Sequence, residues 1–574
     1  MNIFKKDIKH IKRVSGSDVL ELEVTGMTCD GCATHVIQAL EKVDGITHAS
    51  VPSWQDGKAL VNLVSDISTE QITKAIENAG YGAKIVNDGG QKEKITHKQN
   101  KNGKTNYDLV VIGTGGGGMA AAIRSAESGH KVAIVEAGAI GGTCVNIGCV
   151  PSKTLIRAAE AYHKANRHLF AGIKTSSNGI DWSALIAQKD ELVADLQQNK
   201  YVNVLKSYKD RITLIEGHAK LNEQGNILIN GQTIKTNRVV IATGARPTQL
   251  TLDGIDKVEV LVSTSLMDIK EQPKSLIVIG GRAIALELGQ ALARFGTKVT
   301  ILQRSNRLVP DHEPEIGDAL EEYFREEGID VFTHATPQAI REENGDKIIT
   351  AKISGERREF SAEHVLMAIG RTPNTDDLGL EKAGVAVDEK GFILVNEHLQ
   401  TSNPKVYAVG DVTTLPNFVY VAAAAGGMAA ENALNGNSNK LDLSILPDVI
   451  FTDPQIATVG LTETQAVNRG FDVKVSNLPL EHVPRALAAR DTRGFIKLVA
   501  DKSTDRLLGA HILAAEGGEM IQIAALAIRF GEQFGFTVHE FRSMLFPYLT
   551  QAEGLKLAAQ TFEKDVAQLS CCAG

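Results

Sequence analysis

A chain of 574 residues, at roughly 100 to 200 residues per domain, predicts about three to five domains and excludes a single small module. Apolar residues make up 43%, charged residues 23% and aromatic residues 5%, values that exclude wholesale disorder and a fibrous protein. The 61 basic and 69 acidic residues leave a net charge of −8, so no global positive field recruits nucleic acid, and no run approaches the roughly 18 apolar residues of a membrane span.

In chain order, residues 1–16 set Lys5, Lys6, Lys9, Lys12 and Arg13 around Ile3, Phe4, Ile8 and Ile11, a spacing that one face of a short helix would present. A solvated extension is the plain reading, because one short basic stretch binds an anionic membrane surface only weakly; no stable membrane association is expected. Periodicity then predicts strand 19–24, helix 32–43, strands 46–51 and 59–63, helix 69–79 and strand 83–86, a ferredoxin-like βαββαβ module assigned to 17–87. Residues 88–105 are polar, Gly-containing and rich in Lys and Asn, the composition of a linker.

From Tyr107 the pattern becomes strand, Gly-rich turn, helix, strand. Strand 109–112 runs into Gly113-Thr114-Gly115-Gly116-Gly117-Gly118, with Gly113, Gly115 and Gly118 at the fingerprint spacing, and Glu136 closes the next strand 23 residues after Gly113. Such a turn brings backbone N–H groups to a pyrophosphate, and such a carboxylate can accept from a ribose hydroxyl. A second, degenerate unit begins at 276: Gly280 holds its place, but Arg282 and Ala285 occupy the later Gly positions. Gln303 lies 23 residues after Gly280, and Arg304 and Arg307 follow it. A neutral Gln with two cations favours NADPH over NADH; a solvated basic loop is the alternative. Beyond about 446, strands followed by helices predict an α+β domain.

The six cysteines fall as three close pairs: Cys29/Cys32, Cys144/Cys149 and Cys571/Cys572. So few in so long a chain are no secreted disulfide framework, and no cleavable leader pattern precedes them, so a reducing, cytoplasmic setting is expected. Pairing points to two-thiolate chemistry. Cys144 and Cys149, five residues apart at a helix entry, can close a disulfide, and a helix N-terminus favours the thiolate.

The run Gly141-Gly142-Thr143-Cys144 to Cys149-Val150-Pro151-Ser152-Lys153, with Ala242-Thr243-Gly244, Gly370-Arg371-Thr372-Pro373-Asn374 and Val409-Gly410-Asp411, resembles the flavin-dependent disulfide oxidoreductases over residues 107–574. That resemblance implies an α/β chain: an FAD-binding domain at 106–269, an NADPH-binding domain at 270–390, a central FAD-binding segment at 391–445 and a dimerisation domain at 446–574, forming a homodimer. It implies Cys149 as the flavin-proximal thiol and Cys144 as the distal one. Lys153 and Glu287 become a buried ion pair near FAD, Asp411 a ligand of its ribityl chain, and Gly142, Thr143 and Thr243 further cofactor contacts.

Two departures narrow the branch. Disulfide-reducing members place a proton-donating His near the C-terminus, where this chain has Phe546-Pro547-Tyr548, and a phenyl ring carries no proton. The chain also ends Cys571-Cys572-Ala573-Gly574, adjacent thiols suited to a soft metal. This combination resembles the mercury-reducing branch of the family, which implies mercuric ion, free or as thiol complexes, as substrate. Within 17–87, Gly26-Met27-Thr28-Cys29-Asp30-Gly31-Cys32 resembles the heavy-metal-associated domain, implying that Cys29 and Cys32 face one ion. A thioredoxin-type motif or half a zinc site fits less well, for want of the redox fold pattern and of a second ligand pair. By resemblance Tyr201 and Tyr548 lie near the metal; alone, Tyr201 reads as a half-buried helix tyrosine. An ordinary NADPH-dependent disulfide reductase and a soft-metal buffer or chaperone are the competing functions.

Overall fold

In the N-terminal part of the chain, four strands alternate apolar and polar residues as a half-buried sheet requires: Leu20, Leu22 and Val24 are buried while Glu23 and Thr25 face out. The computed structural model describes residues 13–14, 19–27, 36–37, 39–43, 45–51, 57–63, 67–87 and 106–569. Cys29, Cys32, Cys571, Cys572 and the 88–105 stretch lie outside the described residues. The chain divides into two compact units, Met1–Lys104 and Thr105–Gly574.

The first unit is an antiparallel sheet in the order Ile46–Ser50, Lys58–Leu63, Val19–Thr25, Gly82–Asn87, the order of a ferredoxin-like βαββαβ module. Helix Thr69–Asn78 lays Ile72 and Ile76, one turn apart, on its core, and Gln71 accepts from the Ser68 N–H at 3.3 Å to start it. Residues 36, 37 and 39–41 are helical, as expected for part of 32–43. Of the N-terminal extension, Arg13–Val14 pair antiparallel with Ile67–Ser68 as a short strand, while residues 1–12, on which the helix-face spacing rests, lie outside the described residues.

In the second unit, five parallel strands run in the order Val406–Ala408, Thr236–Ile241, Tyr107–Ile112, Val132–Glu136, Ile212–Glu216. They are near-continuous apolar runs, as strands covered on both faces must be. Helices Gly116–Glu127 and Val419–Asn435 pack on this sheet through alanines, which accounts for the Ala-rich sequence of both. A second parallel sheet has the order Asp330–Phe332, Lys298–Leu302, Ser275–Ile279, His364–Met367. The third sheet is antiparallel, in the order Asp448–Ile450, Gln455–Gly460, Leu507–Ala514, Phe495–Asp501, Val473–Pro479. Helix Gly517–Phe534 covers it with Met520, Ile521, Ala524 and Ile528. Two Rossmann-like sheets and an α+β sheet follow, as the pattern predicted. Among the described residues no helix is long and apolar enough to cross a membrane.

Candidate active site

The first parallel sheet ends at a cavity of about 1580 Å³, lined at its strand ends by Ile112, Glu136 and Ala242. Open α/β sheets bind ligands there, and this volume exceeds the ~300 to 1,000 Å³ of an ordinary single-ligand pocket. Gly113 turns the chain at φ +103°, where a Cβ would collide with the Ala242 carbonyl oxygen. Gly280 repeats the arrangement in the second sheet at φ +132°, against the Ala368 carbonyl. Each turn opens a helix, Gly116–Glu127 or Ala283–Phe295, that has no side-chain cap and no acid in its first turn. Uncapped N–H groups at a positive helix end fit a pyrophosphate. At Gly115 a Cβ would meet nothing nearer than 3.9 Å, so the backbone lies open to the cavity. These features fit FAD at the first parallel sheet and a nicotinamide dinucleotide at the second.

Glu136 sits in the cavity wall as expected, but its carboxylate is already engaged. One oxygen accepts from the Thr114 N–H at 2.9 Å and the Thr114 hydroxyl at 2.5 Å; the other accepts from the amides of Ala137 and Gly138 at 3.0 and 2.8 Å. Its four in-plane lone-pair sites are thereby filled.

Cys144 lies within the short helix Gly142–Ile147, and Cys149 is the first residue of helix Cys149–Asn166. Both are free thiols in the cavity wall, hydrogen-bonded to each other. The Cys144 S–H donor pulls the Cys149 thiol down to about 6; burial opposes this, and Lys153, one turn along the same helix face, assists. Cys144 is pushed up for the complementary reason, with burial adding to the effect. Lys153 Nζ lies 2.7 Å from Glu287 Oε2. Both members of the expected pair stand in the cavity wall, Glu287 6% and Lys153 31% exposed.

Asp411 stands in the turn Gly410–Val412, 3.3 Å from Arg371 Nε. Burial raises its carboxyl while Arg371 opposes. Thr243 and Asn374 tie the two flanking loops together: the Thr243 hydroxyl donates to the Asn374 carbonyl at 2.8 Å, and the Asn374 amide donates back at 2.9 Å. Arg371 and Asn374 belong to the quoted Gly370–Asn374 motif, but only the fold reveals their partners.

On the second nucleotide turn, Gln303 is buried and donates to the Arg307 carbonyl at 3.2 Å. Arg304 is exposed; the stem of Arg307 lies by Gly317, and Arg282 pairs with Asp311. Tyr201 does not lie on an ordinary helix. It sits in a π-turn, Gln198–Val202, that continues helix Trp182–Gln197. Its ring is near Gly141, and burial followed by Cys144 and Cys149 raises its phenol. Gln197 Nε2 donates to Ile140 O and to Asn146 Oδ1, both at 3.0 Å, clamping this turn to the redox helix. Nothing in the hydrophobic pattern signals that clamp. Tyr548 is 52% exposed and outside the cavity lining, and Phe546 packs edge-on to Phe541 at 5.6 Å.

Comparison with known proteins agrees with this geometry. A model described as pyridine nucleotide-disulphide oxidoreductase matches residues 107–426, its dimerisation domain matches 446–559, and a heavy-metal-associated domain matches 21–82. A protein named mercuric reductase from Lysinibacillus sphaericus is 44% identical over 96% of this chain and 99% of its own length. Another from Streptomyces lividans is 45% identical over 82% of this chain and 99% of its own. The Cu(II) complex of the HOCl-induced flavoprotein disulfide reductase RclA from Escherichia coli has a TM-score of 0.71 and 30% identity, covering 80% of this chain and all of that one.

Proposed function

This chain belongs to the pyridine nucleotide-disulphide oxidoreductase family, and from that premise we propose that it reduces mercuric ion to elemental mercury with NADPH as donor and FAD as bound carrier. The observation that carries this reading is the Cys144/Cys149 pair, with one thiol held as thiolate in the wall of a dinucleotide cavity. The balance is NADPH + Hg²⁺ → NADP⁺ + H⁺ + Hg⁰: the hydride supplies two electrons and its proton is released. When bound, FAD supplies the step between a two-electron hydride donor and the thiol-held metal. The loop Gly113–Gly118 with Glu136, Gly142, Thr143, Thr243 and Asp411 holds FAD; Gly280 with Arg304 and Arg307 holds NADPH.

The thiols bind the substrate ion by exchange. The Cys149 thiolate displaces one thiolate from an incoming mercury bis-thiolate; Cys144 displaces the other, and its proton leaves with that second thiol. Lys153 stabilises the attacking thiolate, and Glu287 fixes Lys153. Tyr201 and Tyr548 orient the ion. Cys29 and Cys32 capture it, and Cys571 and Cys572 pass it inward across a homodimer, so that mercury never leaves sulfur. A reducing compartment, the cytoplasm, keeps all three pairs available.

Purified protein supplied with mercury and excess thiol should oxidise NADPH and release mercury vapour, and Cys149→Ala should reduce that turnover to background while FAD remains bound. No acceleration by mercury, or mercury held without vapour, would overturn the reading. Equal turnover of glutathione disulfide or lipoamide would favour the disulfide reductase that the likeness to RclA keeps in view. A flavin band bleached by NADPH excludes a passive metal buffer.

A further inference from the structure

Helix Ala283–Phe295 turns Glu287, Gln290 and Arg294, at positions i, i+3 and i+7, towards the segment 451–453 of the C-terminal domain. The Phe451 N–H donates to Glu287 Oε1 at 2.9 Å, and the Asp453 N–H donates to Gln290 Oε1 at 2.8 Å. Gln290 Nε2 returns a bond to the Asp453 carbonyl at 2.8 Å, and Arg294 donates to the Asp453 carboxylate at 2.7 Å. The segment thus forms a ladder with the helix, and its first rung is the carboxylate that pairs with Lys153. Phe451 reaches the other member of that pair as well: the Lys153 ammonium lies over the Phe451 ring, 4.8 Å from its centroid. Phe451 itself lines the cavity.

One residue therefore holds both charges. Glu287 spends one oxygen on Lys153 and the other on the Phe451 amide. The amide bond survives any substitution that keeps the backbone, whereas the ring face does not. Lys153 is a point charge on a flexible four-carbon stem; Glu287 holds it from one side at 2.7 Å, and the Phe451 ring face covers another. We propose that Phe451 is a positioning residue whose ring face holds the Lys153 ammonium against the cavity wall, so that the C-terminal domain sets the charge presented to the bound flavin. This rests on the FAD reading given above.

The experiment compares Phe451→Leu, Phe451→Tyr and a series of ring-fluorinated phenylalanines at 451, which weaken the ring's negative face at nearly constant shape, in the full-length holoenzyme. Flavin content, the midpoint potential of bound FAD and the stopped-flow rate of its reduction by NADPH are read. Phe451→Leu should move the potential to more negative values and slow flavin reduction about fivefold, equivalent to about 1 kcal/mol of lost cation–π attraction. Phe451→Tyr should keep both readouts, and successive fluorination should shift both stepwise. Should the leucine protein fail to fold, the fluorinated series decides. Wild-type potential and rate throughout the flavin-loaded series would make Phe451 a packing residue and overturn the proposal. A purified wild-type chain without flavin would instead remove the FAD reading, and this inference with it.

Discussion

Cys144 and Cys149 share a motif and a cavity yet are chemically unequal, and the largest cause of the inequality is the hydrogen bond between them. Cys149 opens an 18-residue helix and receives both the Cys144 S–H and the field of Lys153. Its folded value of about 6 lies below that of an ordinary thiol, so the thiolate is populated above that pH and lost as pH falls through it. Alkylation of the pre-reduced protein by iodoacetamide, followed by mass spectrometry of the Cys149 peptide, should show a midpoint near pH 6. Cys144→Ala removes the largest cause and should return the midpoint towards the ordinary thiol range. Lys153→Met should raise it by less, since Lys153 ranks behind the hydrogen bond. A midpoint unmoved by Cys144→Ala would show that Lys153 and the helix terminus, rather than the hydrogen bond, make the thiolate.

Between elements, a buried charged junction joins the second parallel sheet's domain to the C-terminal domain. Lys497, on the fully buried strand Phe495–Asp501, is 2% exposed and reaches Glu313, Glu315 and Glu463 at 3.0, 2.8 and 3.0 Å. Glu313, also 2% exposed, precedes helix Pro314–Glu326 and accepts from the Glu463 N–H at 2.6 Å. Removing the ammonium strands a buried carboxylate, so Lys497→Met should lower the opening free energy of that helix by about 3 to 5 kcal/mol, read by amide hydrogen exchange. Adding Glu313→Gln should recover part of the loss; no recovery would mean that packing, not charge, sets the cost. Such junctions mark where the sequence stops being legible. The periodicity of Val19–Thr25 and Tyr107–Ile112 is local, as are Gly113 and the Cys144/Cys149 spacing, so the elements and the redox pair can be read from the chain. The partners of Lys497, the Gln197 clamp on Asn146 and the Phe451 ladder join residues far apart in sequence, and no local pattern encodes them.

At the scale of the molecule, the residues proposed to bind dinucleotides and the Cys144/Cys149 pair all lie in the unit Thr105–Gly574, whereas the heavy-metal-associated match at 21–82 lies in the other. Each unit buries its own core: among the described residues, the cluster around Leu20, Leu22 and Ile72 contains only residues of the first, and those around the three larger sheets only residues of the second. Neither unit therefore needs the other to bury its apolar surface. The Streptomyces lividans relative, matching 82% of this chain with 99% of its own length, is correspondingly shorter. Deleting residues 1–105 should thus leave a protein that binds flavin and oxidises NADPH with mercury at a saturating rate within about twofold of the full chain, since no catalytic group is lost. The loss should fall instead on kcat/KM at low mercury with excess competing thiol, where the proposed capture by Cys29 and Cys32 would limit the flux. Cys29→Ala with Cys32→Ala in the full chain should reproduce that loss without altering the saturating rate. A truncated protein that keeps its flavin but has no turnover would place the first unit inside the catalytic cycle, whereas identical kinetics at every mercury concentration would remove it from mercury handling altogether.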